Sequence, residues 1–100
     1  MRLTDLHPQW WHMHGDPAWV HRGLTFDCPV HGPTERLSTR FSNPIGTSEP
    51  APGYKHYWLR QGNDFDTLTL TPSLDYTKYD NGELRDPTCW HGWIQAGNVT

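Results

Sequence analysis

The chain is short of the residues on which most small domains depend for stability. Only two cysteines and two lysines occur among its 100 residues, and 34% of the residues are hydrophobic, compared with the roughly 45–50% of apolar residues usual in soluble domains. A domain of this length also buries a smaller share of its surface than a large protein does. We therefore expect a further source of stability, such as a bound metal ion.

Positive charge is scarce as well. The chain has eight Lys and Arg residues and eleven Asp and Glu residues, which gives a net charge of −3, and it has no basic cluster. The chain thus lacks the electrostatic footprint of general nucleic-acid binding, which we do not expect. No apolar run is long enough to span a membrane, and residues 1–16 lack the apolar segment of a secretory signal. We expect a cytoplasmic protein whose cysteines are thiols or metal ligands rather than a disulfide.

Aromatic residues, in contrast, are abundant. Thirteen residues are aromatic and six of these are tryptophan. Each buried aromatic ring removes a large area from water, so a few rings together with a metal ion can hold a core that aliphatic residues alone could not. This content also argues against a disordered chain, despite nine prolines and nine glycines.

Alternating apolar and polar residues predict a β-hairpin in the first half of the chain. Residues 23–30 place Leu24, Phe26 and Cys28 on one face, and residues 34–41 alternate in the same way. The intervening His-Gly-Pro sequence is typical of a turn. Two alternating runs joined by such a turn are the pattern of a hairpin.

The remaining segments indicate a mainly β protein with little helix. Three further segments have the composition of strands: residues 54–61, 65–74 and 89–94. Residues 1–22 read as an irregular arm with one helical turn at Asp16-Pro17, and the Pro- and Gly-rich residues 42–53 read as a long loop. We predict one domain over residues 1–100, a small antiparallel, zinc-ribbon-like β fold.

The two cysteines each have a histidine close by, which suggests one zinc site. Zinc prefers four tetrahedral Cys or His ligands, and these usually come in two pairs. Cys28 and His31 flank the bend of the predicted hairpin, and Cys89 and His91 are two apart on a predicted strand, so both can face one ion. A set of four protein ligands is typical of a structural site, which also contributes folding free energy.

Other interpretations of these residues remain open. The cysteines can be buried core residues with unrelated surface histidines, or a redox pair. If one of the four is not a ligand, His12 and His14 are the candidates to replace it.

The segments TLTLTPSL (residues 67–74), CWHGWI (residues 89–94) and the following AGN, with FDCP at residues 26–29, resemble a family of small proteins of unknown function found in phages, prophages and bacteria. Phage members often carry the label ammonia monooxygenase, which no His- or carboxylate-rich site here supports. The resemblance implies zinc binding at Cys28, His31, Cys89 and His91, although many relatives have a second cysteine at the position of His31. It also implies a location in the host cytoplasm and a host or phage protein as partner.

Three hypotheses of function follow. The first is a zinc-stabilised binding module without catalytic activity. The second is a zinc-dependent hydrolase with an open coordination position, for which Glu35 and Asp27 are the nearest candidate bases. No HExxH or deaminase pattern supports this hypothesis, and Ser73 lacks a nucleophile elbow.

The third hypothesis is weak nucleic-acid binding by a zinc-ribbon-like face. Arg36 and Arg40 share one face of their predicted strand, and Trp58 with Arg60 offers stacking and charge on another. The net negative charge and the scarcity of lysine argue against it.

Overall fold

The computed structural model describes all residues from Met1 to Thr100 and contains nine β-strands and one short 3-10 helix, Leu3–Leu6. The strands are β1 (Gln9–Trp11), β2 (His21–Cys28), β3 (Gly32–Ile45), β4 (Leu59–Gln61), β5 (Thr69–Thr71), β6 (Leu74–Asp75), β7 (His91–Gly92), β8 (Ile94–Gln95) and β9 (Asn98–Val99). No helix has the length and apolar character needed to cross a membrane.

The largest sheet has three antiparallel strands in the order β1-β2-β3. In its long hairpin Leu24 pairs with Thr39 and Phe26 with Leu37. The two strands approach so closely at Gly23 that a Cβ there would lie 2.2 Å from the carbonyl oxygen of Thr39. Glycine is therefore required at this position for the strands to pair.

The other six strands form three antiparallel pairs, β4-β5, β6-β7 and β8-β9. The pair β6-β7 matters for the site described below, because it places Asp75 opposite His91 and Leu74 opposite Gly92. Such two-stranded ribbons are unstable alone, so each depends on packing into the common core.

The core lies between these ribbons and the hairpin and is rich in aromatic rings. Phe26 is fully buried and meets Trp90 and Tyr76 edge-on, with ring centroids 5.9 and 6.2 Å apart. Cys28 and Cys89 are buried in the same cluster, as are residues from both halves of the chain. One core thus unites the chain into a single small domain.

The prediction of a mainly β, antiparallel fold with little helix is confirmed, including the hairpin of β2 and β3. Several elements differ from the predicted ones. The segments 54–61, 65–74 and 89–94, each predicted as a strand, are strands only at 59–61, at 69–71 and 74, and at 91–92 and 94, because turns, bends and irregular residues interrupt them. Strand β3 continues to Ile45, so the irregular segment starts later than residue 42. Residues 1–22 are less irregular than expected, because they include β1 and the 3-10 helix, while Pro17 to Val20 forms only a turn.

Candidate metal centre

The turn of the β2-β3 hairpin brings three polar side chains together. Cys28 ends β2 opposite Gly32, whose φ of +74° lets the chain reverse. His31 lies in the turn, and its backbone N–H donates a hydrogen bond to Sγ of Cys28 over 3.3 Å. Glu35 follows in β3, with Oε1 3.2 Å from Nδ1 of His31. Local hairpin geometry alone therefore assembles Cys28, His31 and Glu35.

Cys89 reaches this group from the other end of the sequence. A turn held by Asp86, which accepts hydrogen bonds from the backbone N–H of Thr88 and of Cys89, presents the cysteine just before β7. The Sγ atoms of Cys89 and Cys28 lie 3.9 Å apart, and no disulfide joins them. The two thiols thus converge as separate donors.

Three of the distances among the four donor atoms match those of a tetrahedral metal site. The ligand atoms of Cys28, His31, Glu35 and Cys89 all lie within 4.8 Å of one another. Zinc bonds of about 2.3 Å to sulfur and about 2.0–2.1 Å to nitrogen or oxygen place two sulfurs about 3.8 Å apart, sulfur and nitrogen about 3.6 Å, and nitrogen and oxygen about 3.3 Å. The corresponding distances are 3.9, 3.7 and 3.2 Å.

One edge of this tetrahedron is short. Sγ of Cys89 lies 2.9 Å from Oε1 of Glu35, whereas a shared zinc ion would hold sulfur and oxygen about 3.5 Å apart. This distance is that of a thiol donating a hydrogen bond to a carboxylate. A metal ion would replace the thiol proton and widen this edge.

The hydrogen bonds around His31 fix which ring nitrogen faces the thiols. Oγ1 of Thr88 donates its only proton to the carboxylate of Asp86 over 2.6 Å, so it can only accept from Nε2 of His31, which lies 3.1 Å away. Nε2 therefore carries the proton. Nδ1 is then the nitrogen that faces Cys28 and Glu35. This is the arrangement that a metal-binding histidine needs. Without an ion, a proton on Nδ1 can donate to the carboxylate of Glu35, and a metal ion would take the place of that proton.

When no cation is present, the surroundings keep the Cys89 thiol protonated and the Glu35 carboxylate ionised. Burial, followed by the hydrogen bond to Glu35, raises the pKa of Cys89 to about 12. The hydrogen bonds from Cys89 and then His31 lower the pKa of Glu35. Arg85 adds a positive charge, with Nη2 3.7 Å from Oε1 of Glu35. A metal ion would supply the charge that turns the thiols into thiolates.

Three of the four predicted ligands belong to this group, and His91 does not. Cys89 lies in a bend before β7 rather than on a strand, so the rule that residues two apart share a face does not apply to it. The His91 side chain is 54% exposed, with Nε2 3.4 Å from Oγ of Ser73 and Nδ1 3.9 Å from Oδ2 of Asp75. Trp93, two residues after His91, is 42% exposed.

The fourth donor is Glu35, which the sequence indicated only as a candidate base. Its signal is the spacing Cys28-x2-His31-x3-Glu35 across a hairpin, where the residue four positions after a turn histidine can face back towards it. The histidines considered as substitutes lie elsewhere: His12 packs against His21, and neither His12 nor His14 joins the group.

Comparison with models of protein families, with curated proteins and with solved structures finds no significant match to this chain. The site is therefore interpreted from its own geometry and chemistry.

Proposed function

We propose that this protein is a small zinc-stabilised binding module whose ion is held by Cys28, His31, Glu35 and Cys89. The observation that carries the proposal is the orientation of His31, whose Nδ1 points into a group of four donor atoms that lie within 4.8 Å of one another. Thr88 and Asp86 hold the ring so that Nε2 faces away from the thiols, as the hydrogen-bond partners of metal-binding histidines do.

The chemistry of the donors favours zinc among the common metals. Two thiolates and an imidazole are soft or borderline ligands, which suit zinc and do not suit magnesium or calcium. With zinc, two thiolates and one carboxylate leave the site with a charge of about −1. Arg85 beside Glu35 offsets that charge, which would otherwise be costly in a half-buried position.

The ion would act as a structural link between two distant parts of the chain. Cys28 and Cys89 are 61 residues apart, and a bond between them through zinc would remove the freedom of the long intervening segment in the unfolded state. Because the core is small, this link would contribute a large share of the folding free energy.

Four protein donors leave no open position for substrate, so the proposed activity is binding rather than catalysis. The sequence resemblance supports a phage or bacterial protein that binds a host protein. Retention of one host protein from a bacterial lysate by zinc-loaded protein, and not by protein unfolded with a chelator, would support this part of the proposal. Absence of any zinc-dependent partner would contradict it.

The structural role is tested by thermal unfolding with and without a zinc chelator. We expect the chelator to lower the Tm by about 10 °C or more, and added zinc to restore it, because loss of the ion removes several kcal/mol from a domain of this size. Leu84→Ala, at a 64% exposed residue, is the matched control and should respond to the chelator as the wild type does. An unchanged Tm would contradict the proposal.

A zinc hydrolase is the second candidate, and the partial exposure of Glu35 favours it. Its side chain is 27% exposed, and a carboxylate that leaves the ion could be replaced by water and then act as a base. Cobalt-substituted protein distinguishes the two. Intense visible absorption that is unchanged between pH 6 and 9 indicates four protein ligands, whereas a pH-dependent spectrum together with ester hydrolysis would indicate bound water.

A further inference from the structure

Two neighbouring cavities lie outside the metal group, and Lys78, Tyr79 and Asp80 line both of them. The first, here called the aromatic cavity, has a volume of about 310 Å³. Its rings come from four residues: His56, Tyr57, Trp58 and Tyr79. Trp58 is held in place by a hydrogen bond from Nε1 to the carbonyl oxygen of Ser73. Aromatic walls of this kind suit a flat ligand ring that can stack on them.

The second, here called the cationic cavity, has a volume of about 550 Å³ and carries positive charge. Lys55, Lys78 and Arg85 line it, and Asp80 is its only carboxylate. A net positive cavity is notable in a chain whose net charge is −3. Both lysines of the protein are here, so its flexible point charges are concentrated in one place.

The two lysines are also the cationic side chains that the fold itself does not use. Every arginine donates to a carboxylate, a backbone carbonyl or a side-chain oxygen within the protein. Lys55 and Lys78 form no ion pair, and neither side chain donates a hydrogen bond. Their ammonium groups are therefore available to an anion from outside.

We propose that the two cavities form one binding site for an aromatic ring that carries a phosphate, of which a nucleoside monophosphate is the simplest case. The base would stack in the aromatic cavity, and the phosphate would lie between Lys55 and Lys78 in the cationic cavity. Tyr79 borders both cavities and is 56% exposed, so its ring can contact the base while the phosphate lies alongside.

The charges near the site limit what else can bind. Asp75 lines the aromatic cavity and Asp80 lines both, so a polyphosphate that extended beyond the two lysines would meet carboxylates. A long nucleic acid needs many phosphate contacts, and the chain has no further unpaired lysine to provide them. The site therefore fits a free nucleotide or the phosphorylated end of a strand.

The proposal does not depend on the metal. Lys55, Lys78 and Tyr79 are not part of the metal group, whereas Arg85 contacts Glu35 and is left unchanged in the tests. Nucleotide binding can thus fail while zinc binding succeeds, and the reverse also holds.

Calorimetry on the full chain with AMP, adenosine, ribose 5-phosphate and inorganic phosphate tests the site. We expect saturable binding of AMP with a Kd below about 1 mM, and binding about tenfold weaker or more for each of the other three, because each lacks either the base or the phosphate. No saturable binding of AMP up to about 10 mM would overturn the proposal. Equal binding of ribose 5-phosphate and AMP would overturn it as well.

Matched variants locate the site. Lys78→Gln and Tyr79→Ala should each weaken AMP binding by about tenfold. Arg2→Gln removes the same charge from a residue that lines neither cavity, and Trp19→Ala removes a 69% exposed ring outside them. Both controls should keep the wild-type affinity. If Lys78→Gln binds AMP as the wild type does, the site is not where we propose.

The source of the nucleotide is found by comparing AMP with a 5′-phosphorylated pentanucleotide. Tighter binding of AMP assigns a free nucleotide, and tighter binding of the oligomer assigns a strand end; both results support the shared chemistry of ring and phosphate. Where the oligomer binds more tightly than AMP, equal binding of the same oligomer without its 5′-phosphate would overturn the proposal.

Discussion

Nε2 of His31 lies 3.1 Å from Oγ1 of Thr88, and this contact determines what the histidine offers on its other side. Because Thr88 gives its proton to Asp86, the ring must donate from Nε2 and present Nδ1 to the thiols. A hydrogen-bonded chain of carboxylate, hydroxyl and imidazole thus prepares one ligand before any ion arrives.

Removal of the Thr88 hydroxyl should therefore weaken metal binding although Thr88 does not touch the ion. We expect Thr88→Ala to bind zinc about 10–100-fold more weakly, the usual effect of losing a group that orients a ligand. Competition with a zinc-sensitive dye measures this. Thr88→Ser keeps the hydroxyl and should retain most of the affinity, and equal affinities for the Ala variant and the wild type would contradict the role of Thr88.

Substitutions of Glu35 and of His91 should have opposite effects on zinc binding. Glu35→Gln should reduce zinc affinity, because an amide is a weaker ligand than a carboxylate and the negative charge is lost. His91→Ala should leave one equivalent of zinc bound, since its ring lies beside Ser73 and Asp75 instead. Metal analysis after dialysis compares the two variants. Loss of zinc in His91→Ala with retention in Glu35→Gln would restore the ligand set expected from sequence alone.

The hairpin could be predicted because its information is local. Alternation places Leu24, Phe26 and Cys28 on one face, and the structure buries all three. Strand β1 could not be predicted in this way, because its three residues show no alternation and take an extended form by pairing with β2. Its pairing partner is more than ten residues away in sequence, so local patterns do not reveal it.

The candidate site also has a part that local sequence predicts and a part that depends on distant residues. Cys28 and His31 belong to one turn, so their proximity is visible in the sequence. The approach of Cys89 depends on the packing of Trp90 against Phe26 in the core, which fixes where the bend before β7 lies. The choice between His91 and Glu35 depends on whether Cys89 is on a strand, and β7 begins only at His91, two residues after it.

Phe26 should be one of the most costly residues to truncate. Its side chain is fully buried against two aromatic rings, and Phe→Ala changes in such positions cost about 3–5 kcal/mol. Urea unfolding of zinc-loaded protein measures the free energy of unfolding. Leu84→Ala, at an exposed residue, should stay within about 0.5 kcal/mol of the wild type. A loss at Phe26 of under about 1 kcal/mol would contradict the packing described.

Acid should remove the contribution of the Asp16–Arg22 ion pair. The hydrogen bond from Arg22, 2.8 Å long, lowers the pKa of Asp16 in the folded protein. The pair therefore stabilises the fold above the unfolded pKa of Asp, about 3.9, and this stability is lost as the pH falls through the lower folded value. We expect Asp16→Asn to have a lower Tm than the wild type at pH 7, and the difference to shrink below pH 4. A difference that is constant with pH would contradict this assignment.

Native mass spectrometry of freshly purified protein tests the central claim most directly. We predict one zinc ion per chain in the wild type and none in Cys89→Ser, since the serine hydroxyl is a poor zinc ligand at neutral pH. Zinc is added to the expression medium, so that a lack of bound zinc cannot result from a lack of zinc in the medium. A wild type that carries no zinc under these conditions, or a Cys89→Ser variant that keeps a full equivalent, would contradict the claim that Cys28, His31, Glu35 and Cys89 hold a structural ion.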